Sequence, residues 1–127
     1  MNYRVLSQQP DEEAPDGSEV RLLARGAHGS QAHFRLAPGE VSKAKQHRTV
    51  EELWFFVKGA GEMCVGDDVI PVGPGVSVHI PPRTRFQFVS HGPAPLDAVG
   101  TTMPPWPGTS DEAIDAPPYW TTYPTVE

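Results

Sequence analysis

Three residues with side chains that carry a charge or a proton, Lys45, His47 and Glu52, lie close together near the middle of the chain. Lys45 and His47 are two positions apart, so in a strand both side chains point to the same face. Histidine exchanges protons near neutral pH because its ordinary pKa lies there. The set therefore predicts acid–base chemistry in which His47 carries the proton, Glu52 orients it and Lys45 stabilises a developing anion.

Aromatic residues occur at positions that alternate in step with Glu52. If Glu52 points to the interior, strand alternation directs Trp54 and Phe56 there as well. The same rule places Phe86 and Phe88 on one face of a later strand. An aromatic wall around a few polar groups is typical of a small-molecule pocket. The ligand expected there is a small, partly aromatic or unsaturated metabolite that is anionic or oxygenated.

Three further polar residues, His33, Arg35 and His79, are candidates for the same pocket. His79 lies on the more polar face of its strand, and the sequence favours a surface or rim position for it without excluding the pocket. His33 and Arg35 share a polar face. Such a face is normally outside a soluble barrel, but it lies inside a binding barrel, so both residues are secondary candidates.

The elements that position these residues are short apolar runs separated by turn signals such as Pro38-Gly39 and Gly92-Pro93. Fifteen prolines and 12 glycines favour many turns over helices. Regular short strands of this kind are typical of an all-β sandwich or barrel. We expect a single domain over residues 1–127, with the barrel at about 18–102.

The segment 103–127 has a different composition, rich in proline and aromatic residues. Within it, Asp111 to Ala116 is predicted to form one helical turn, and the remainder is expected to be extended. Tryptophan and tyrosine side chains gain from burial. This C-terminal tail is therefore expected to pack on the barrel or on a partner subunit.

A second apolar face is predicted opposite the pocket, formed by Leu53, Phe55 and Val57. A strand that is apolar on both faces needs cover on both. A second copy of the chain would supply that cover, so the sequence predicts a homodimer.

The formal charge of −6 and the absence of a Lys/Arg cluster argue against nucleic-acid binding. One cysteine, Cys64, allows no internal disulfide. No segment has the length and apolar character of a membrane span, and the N-terminus lacks the pattern of a signal peptide. A cytoplasmic location is the default expectation.

The segment from Gly39 to Gly59 resembles the first signature of the cupin superfamily, G-x5-H-x-H-x4-E-x6-G. The two glycines, His47 and Glu52 occupy signature positions without a gap. Lys45 replaces the first of the two signature histidines, and we expect its ammonium to form an ion pair with Glu52 inside the barrel. The resemblance implies a cupin-type double-stranded β-helix, a jelly-roll barrel like that of small bacterial cupins.

The second cupin signature, G-x5-P-x-G-x2-H-x3-N, fits from Gly75 to Pro81. Beyond that point the chain departs from it, because Arg83 stands at its glycine, Phe86 at its histidine and Ser90 at its asparagine. The resemblance covers roughly residues 30 to 102, and it is strong for the fold and weak for a metal site.

In cupins the signature histidines and glutamate usually hold a metal ion. Only His47 and Glu52 keep a ligating side chain here, and divalent sites need three or four ligands. The resemblance therefore implies a degenerate metal motif and a protein without a metal cofactor. The alternative is a divalent transition metal held by His47, Glu52 and the non-motif residue His79.

Three functions remain open from the sequence. The first is a metal-independent cupin that binds a small molecule and that, if it is an enzyme, catalyses isomerisation, cyclisation or elimination. The second is a metal-dependent cupin enzyme of the oxygenase or isomerase type. The third is a non-catalytic binding or structural barrel. Fold resemblance alone does not choose among them.

Overall fold

The computed structural model describes residues 1–108 and 111–124. These residues form strands joined by turns, in this order along the chain: β1 (Glu12–Glu13), β2 (Glu19–Arg25), β3 (Ser30–Leu36), β4 (Lys45–His47), β5 (Glu51–Lys58), β6 (Gly61–Val65), β7 (Asp68–Val72), β8 (Ser77–Ile80), β9 (Phe86–Ser90), β10 (Leu96–Met103) and β11 (Ala113–Asp115). Nothing in the described part of the chain is a helix long and apolar enough to cross a membrane.

The strands pair antiparallel in two sheets. One sheet has the order β1-β2-β3-β10-β5-β8, and the other has the order β11-β4-β9-β6-β7. Strands that are neighbours in sequence often lie in different sheets, so the chain crosses repeatedly from one layer to the other, as in a jelly roll. The predicted all-β jelly roll is confirmed.

The core lies between the two sheets, and β5 shows how the sequence builds it. Along β5, Glu52, Trp54 and Phe56 are buried, whereas the intervening Leu53 and Phe55 are exposed. Side chains of a strand alternate between its two faces, so one set enters the core and the other covers the outside. Each large apolar side chain that is fully buried contributes about 1.5–3 kcal/mol to folding. The inward and outward sets predicted for β5 are both confirmed.

The C-terminal tail lies against the sheet that contains β4 and β9. Gln87, which is buried, accepts hydrogen bonds from the backbone N–H groups of Tyr119 and Trp120 and donates to the Trp120 carbonyl. Arg85 donates to the carbonyl of Pro117. Gln87 of β9 and Arg85, which directly precedes this strand, thus hold this part of the tail.

The helical turn predicted between Asp111 and Ala116 is wrong. Residues Ala113–Asp115 form β11, which pairs with β4 in the register Ala113 opposite His47 and Asp115 opposite Lys45. Without β11, the three-residue β4 would be an edge strand with unpaired backbone groups. Pairing satisfies those groups, which a single helical turn could not do.

Candidate functional site

One end of the barrel encloses a cavity of about 420 Å³. Its apolar wall consists of Phe34 from β3, Trp54 from β5 and Phe86 from β9, so both sheets contribute to it. Two polar residues of the sequence prediction, His47 from β4 and Glu52 from β5, line the same cavity. A mostly aromatic cavity with a few convergent polar groups has the composition of a small-molecule site.

His47 and Glu52 form a hydrogen-bonded pair in this cavity. The His47 Nε2 atom lies 2.6 Å from Glu52 Oε1, and both side chains are buried. The Trp54 Nε1–H donates to the other carboxylate oxygen, Oε2, at 3.1 Å. Both oxygens of Glu52 therefore have a partner, which fixes the carboxylate in place.

The His47 ring is held between two aromatic residues. Phe86 stacks on it with ring centroids 5.1 Å apart, and Trp106 meets it edge-on at 5.4 Å. The second ring nitrogen, Nδ1, is fully buried and has no hydrogen-bond partner among the described residues. When Glu52 is ionised, Nε2 is the donor in the bond between the two residues, because a carboxylate only accepts hydrogen bonds.

The loop that follows His47 is fixed by Glu112. This buried carboxylate accepts hydrogen bonds from the backbone N–H groups of Arg48 and Thr49 and from the Thr49 hydroxyl. Burial raises the pKa of Glu112, but these hydrogen bonds outweigh it, so the pKa is lowered overall. The tail thus helps to position the end of β4, from which His47 projects.

A third ionisable residue, Asp16, lines the cavity together with His47 and Glu52. It lies in the connection between β1 and β2 and is 4% exposed. Burial raises the pKa of Asp16, and the charge of Glu52 adds to the effect, although hydrogen bonds from Ser18 and the charge of His47 oppose it. The cavity therefore contains a carboxyl group that favours its protonated form more than an exposed aspartate does.

The aromatic wall depends on a glycine. Phe34 and Trp54 stack with centroids 4.7 Å apart and planes 8° from parallel. A Cβ atom on Gly100 of β10 would lie 2.9 Å from both Phe34 Cε2 and Trp54 Nε1. Only glycine leaves room for this stack at its present position.

Exposed charged residues from the N-terminal part of the chain also line the cavity: Arg4, Glu12 and Arg25. Arg25 donates to the carbonyl of Trp106 at 2.8 Å, which ties β2 to the segment that covers His47. Two arginines beside the cavity make its exposed part suited to an anionic group.

The predicted ion pair between Lys45 and Glu52 is wrong. The Lys45 ammonium lies 2.7 Å from Asp115 Oδ1, and Lys45 is not part of the cavity lining. The β4–β11 pairing causes the difference, because it places Asp115 directly opposite Lys45. The Lys45 ammonium also lowers the pKa of Asp115. The role predicted for Lys45 as the group that stabilises an anion is not supported by its position.

His33 and Arg35 do not line this cavity, which corrects their assignment to the pocket. They lie on the outer face of β3, where both contact Asp97 of β10. Burial lowers the pKa of His33, an effect that Asp97 opposes. Burial also raises the pKa of Asp97, but the hydrogen bonds from Arg35 outweigh it and the net change is a lowering. His33 and Asp97 border a separate open groove of about 710 Å³.

The cavity lining also excludes three other pocket candidates from the sequence, namely His79, Phe56 and Phe88. His79 is at the surface, 3.1 Å from the exposed Glu51, so the surface position favoured by the sequence is the one found. Phe56 and Phe88 point inward as predicted, but they are fully buried in the core below the cavity wall. They support Trp54, whose ring is 5.2 Å from that of Phe88, without facing a ligand.

The residues do not fit a divalent metal centre. In the described ranges, no three His, Cys, Asp or Glu side chains are arranged so that they could hold an ion. His79, the third ligand of the metal alternative, is bound to Glu51 on the outer surface. The apolar ring of Phe86 covers one face of His47 at the position where the second cupin signature has a ligand.

Sequence reasoning missed several cavity residues, among them Asp16, Phe34 and Trp106. The run Pro15-Asp16-Gly17-Ser18 is a turn signal in which aspartate accepts a hydrogen bond from an amide two residues later, and that contact is present. Nothing in the run indicates that the turn folds over the barrel. Phe34 alternates with His33, so strand parity predicts its inward position once His33 is known to face outward.

A family model described as the cupin domain matches residues 32–100. An uncharacterised protein of Methanocaldococcus jannaschii is 27% identical over 124 residues, which cover 91% of this chain and 99% of that protein. Among solved structures, KdgF from Halomonas sp. has a TM-score of 0.68 at 17% identity, covering 80% of this chain and 93% of its own. An RmlC-like cupin from Shewanella frigidimarina has a TM-score of 0.66 at 17% identity, with 81% and 93% covered.

Proposed function

The chain belongs to the cupin family, and we propose that it binds a small, partly aromatic or unsaturated, oxygenated metabolite in the barrel cavity and transfers a proton through the His47–Glu52 pair without a metal ion. The observation that carries the proposal is the His47–Glu52 hydrogen bond inside an aromatic cavity. The reaction class is isomerisation, cyclisation or elimination, each of which needs a proton to be removed from one atom and delivered to another.

Proton exchange with a ligand takes place at the Glu52 carboxylate, which lines the cavity, since Nε2 of His47 is bonded to that carboxylate and Nδ1 is fully buried. His47 and Trp54 hold the two oxygens of this carboxylate in place for the transfer. Phe86 and Trp106 restrict ring rotation, so the ring is already oriented before a ligand arrives.

Independence from a metal rests on the donor set. Lys45 and Phe86 stand at two of the usual ligand positions of the family, and the structure directs His79 to the surface. Two remaining ligands are too few for a divalent ion held by protein side chains. The cationic group that faces a ligand is supplied by Arg4 and Arg25 beside the cavity instead of Lys45.

The proposal is tested with a panel of small aromatic and unsaturated acids, ketones and alcohols, with binding followed by NMR chemical-shift changes. Ligands should perturb the signals of Phe34, Trp54 and Phe86, the three residues of the aromatic wall. For any ligand that is turned over, His47→Gln should lower kcat far more than it weakens binding. His79→Gln is the matched control, because this histidine lies at the surface.

Ligands that bind only outside the barrel would contradict the proposal. Equal turnover by His47→Gln and the unaltered protein would remove the catalytic role of His47. Ligand binding without turnover of any panel member would favour a cupin that only binds its ligand. Stoichiometric transition metal in the purified protein, lost on His47→Gln but not on His79→Gln, would favour the metal-dependent alternative.

A further inference from the structure

The side chain of Asp16 is fixed by one of its two oxygens. Oδ1 accepts hydrogen bonds from the backbone N–H of Ser18 at 2.9 Å and from the Ser18 hydroxyl at 2.6 Å. The backbone carbonyl of Asp16 accepts a further hydrogen bond from Lys43 N–H at 2.7 Å. Main chain and side chain together hold Asp16 over the end of the barrel.

The other oxygen, Oδ2, has no hydrogen bond to any residue that the structure describes, and Asp16 lines the cavity. The buried side-chain atoms that lack a hydrogen-bond partner do not include Oδ2. An oxygen that already accepts two hydrogen bonds is a poor site for a proton, so the acid form of Asp16 carries its proton on Oδ2. In that form Asp16 offers an O–H donor to the cavity.

We propose that Asp16 donates this hydrogen bond to a carbonyl oxygen of the ligand, so that the site takes compounds with a carbonyl group next to a C–H bond. This inference rests on the proposed function. The Glu52 carboxylate, which lines the cavity and is held by His47 Nε2, removes the proton from that carbon, and the electrons of the C–H bond form a carbon–carbon double bond. The π electrons of the carbonyl move to its oxygen, which takes the proton of Asp16 and yields an enol.

The reverse transfer, with a proton returned to a different carbon or to the other face of the same carbon, gives the isomer and restores Asp16. No oxidant, reductant or metal enters this sequence. The geometry suits it because an acid and a base are supplied by different elements, the β1–β2 turn for Asp16 and β5 for Glu52. An acid and a base at separate places around one cavity can act on two atoms of one ligand.

The protonation of Asp16 depends on the charged groups around it. Glu52 on β5 favours the acid form and His47 on β4 opposes it. Ser18 favours the ionised form through its two hydrogen bonds. The exposed residues Arg4, Glu12 and Arg25 border the same cavity. Burial outweighs the opposing effects and raises the pKa of Asp16.

The test uses acetophenone and phenylacetone, with ethylbenzene as a probe of similar shape that has no carbonyl group. We expect the protein to bind the ketones about fivefold more tightly than ethylbenzene, the effect of one neutral hydrogen bond of about 1 kcal/mol. The preference should disappear as the pH rises and Asp16 ionises. NMR of the methyl and methylene protons of the ketones in D2O should show deuterium exchange, which reports enol formation.

Asp16→Asn separates donation of a hydrogen bond from donation of a proton. Its amide nitrogen takes the place of Oδ2 and donates at every pH, so the preference for ketones should persist at high pH. An amide cannot deliver a proton, so deuterium exchange should be lost. Ser18→Ala removes a hydrogen bond that favours the ionised form, and the pH at which ketone preference is lost should rise. His79→Gln should leave all these measurements unchanged.

Failure of the inference is distinct from failure of the proposed function. Ketones and ethylbenzene bound alike in the cavity, with no effect of pH or of Asp16→Asn, would overturn the role of Asp16 and leave the binding cavity in place. If neither the ketones nor ethylbenzene enters the cavity, and the wider ligand panel does not either, both proposals are overturned. Deuterium exchange that persists in Asp16→Asn but is lost in His47→Gln would contradict only the role of Asp16 as proton donor.

Discussion

The imidazole of His47 is hydrogen-bonded to the carboxylate of Glu52 at 2.6 Å inside the barrel. His47 lies on β4 and Glu52 on β5, and these two strands belong to different sheets. The bond links the two layers of the jelly roll at the cavity. Trp54 donates to the second oxygen of the same carboxylate. Glu52 thus connects the proton-carrying ring to the aromatic wall, and a change at Glu52 should affect both.

Glu52→Gln should destabilise the protein by about 1–3 kcal/mol, because one amide oxygen cannot accept from both His47 and Trp54 and a buried donor is left without a partner. Glu51→Gln is the matched control. Its exposed contact with His79 is worth little, so a change within about 0.5 kcal/mol is expected. Urea unfolding of both variants measures the difference. Equal stability of the Glu52→Gln and Glu51→Gln variants would show that the buried carboxylate of Glu52 does not stabilise the protein.

The sequence predicted the fold and the inward residues of β5 because both depend on local patterns. Alternating apolar residues and turn signals identify strands, and the period of two assigns each side chain to a face. The partner of a charged side chain depends on which strand pairs with which. Lys45 has Asp115 as its partner because β11 adds to β4, and no local pattern connects segments that are so far apart in sequence.

Lys45→Met and Glu52→Gln should have additive effects on stability. The two residues have different partners, so the double variant should equal the sum of the single variants to within about 0.5 kcal/mol. Loss of the lysine should also return the pKa of Asp115 towards its ordinary value, because Lys45 is what lowers it. Thermal melts and carboxyl NMR titration give the two readouts. A double variant clearly more stable than the sum would revive a direct Lys45–Glu52 pair.

Gly100→Ala should narrow the cavity. The new methyl group would press on the Phe34–Trp54 stack, at a cost of about 1–3 kcal/mol for overpacking, and would disturb the Trp54 hydrogen bond to Glu52. Ligand affinity should fall along with stability. Gly26→Ala is the control, since its added Cβ has no neighbour closer than 3.8 Å. If Gly100→Ala leaves tryptophan fluorescence and ligand affinity unaltered, the Phe34–Trp54 stack accommodates the added methyl group and the prediction is wrong.

Self-association is expected through the outer face of β5. Leu53, Phe55 and Val57 are each more than 40% exposed on that face, which supports the homodimer predicted from the sequence. Light scattering should therefore give about twice the 13.8 kDa mass of one chain. Phe55→Glu should yield monomers, whereas Ile114→Glu, at an exposed residue of the other sheet, should not. A single-chain mass for the unaltered protein at micromolar concentration would refute the dimer.

The site was harder to predict than the fold because its residues come from segments with little pattern of their own. Asp16 lies in a turn and Trp106 in the proline-rich tail, and each reaches the cavity only when the barrel has formed. His47 and Glu52 were identifiable because they stand on strands with fixed parity. His33 and Arg35 could not be assigned, since a polar face is compatible with either side of a barrel until the covering segments are known.

The pH dependence of stability should show the effect of Asp16. Its pKa is raised in the folded protein, so its contribution to stability is fully present below the ordinary pKa of an aspartate and is lost as the pH rises through the raised value. Above the ordinary pKa of an aspartate, the folded protein must either keep Asp16 in its acid form or bury its charge, and either one costs stability, up to about 1.4 kcal/mol for each unit by which NMR titration finds the pKa raised. Asp16→Asn keeps an oxygen that accepts from Ser18 and has no charge. It should therefore be more stable than the unaltered protein at pH 7 and equal to it near pH 3, as measured by urea unfolding across that range. Asp67→Asn is the control, since the side chain of Asp67 is fully exposed and its replacement should leave stability nearly unchanged. A difference between Asp16→Asn and the unaltered protein that does not change with pH would mean that Asp16 titrates as an ordinary aspartate, and the proton that it is proposed to donate would be absent at neutral pH.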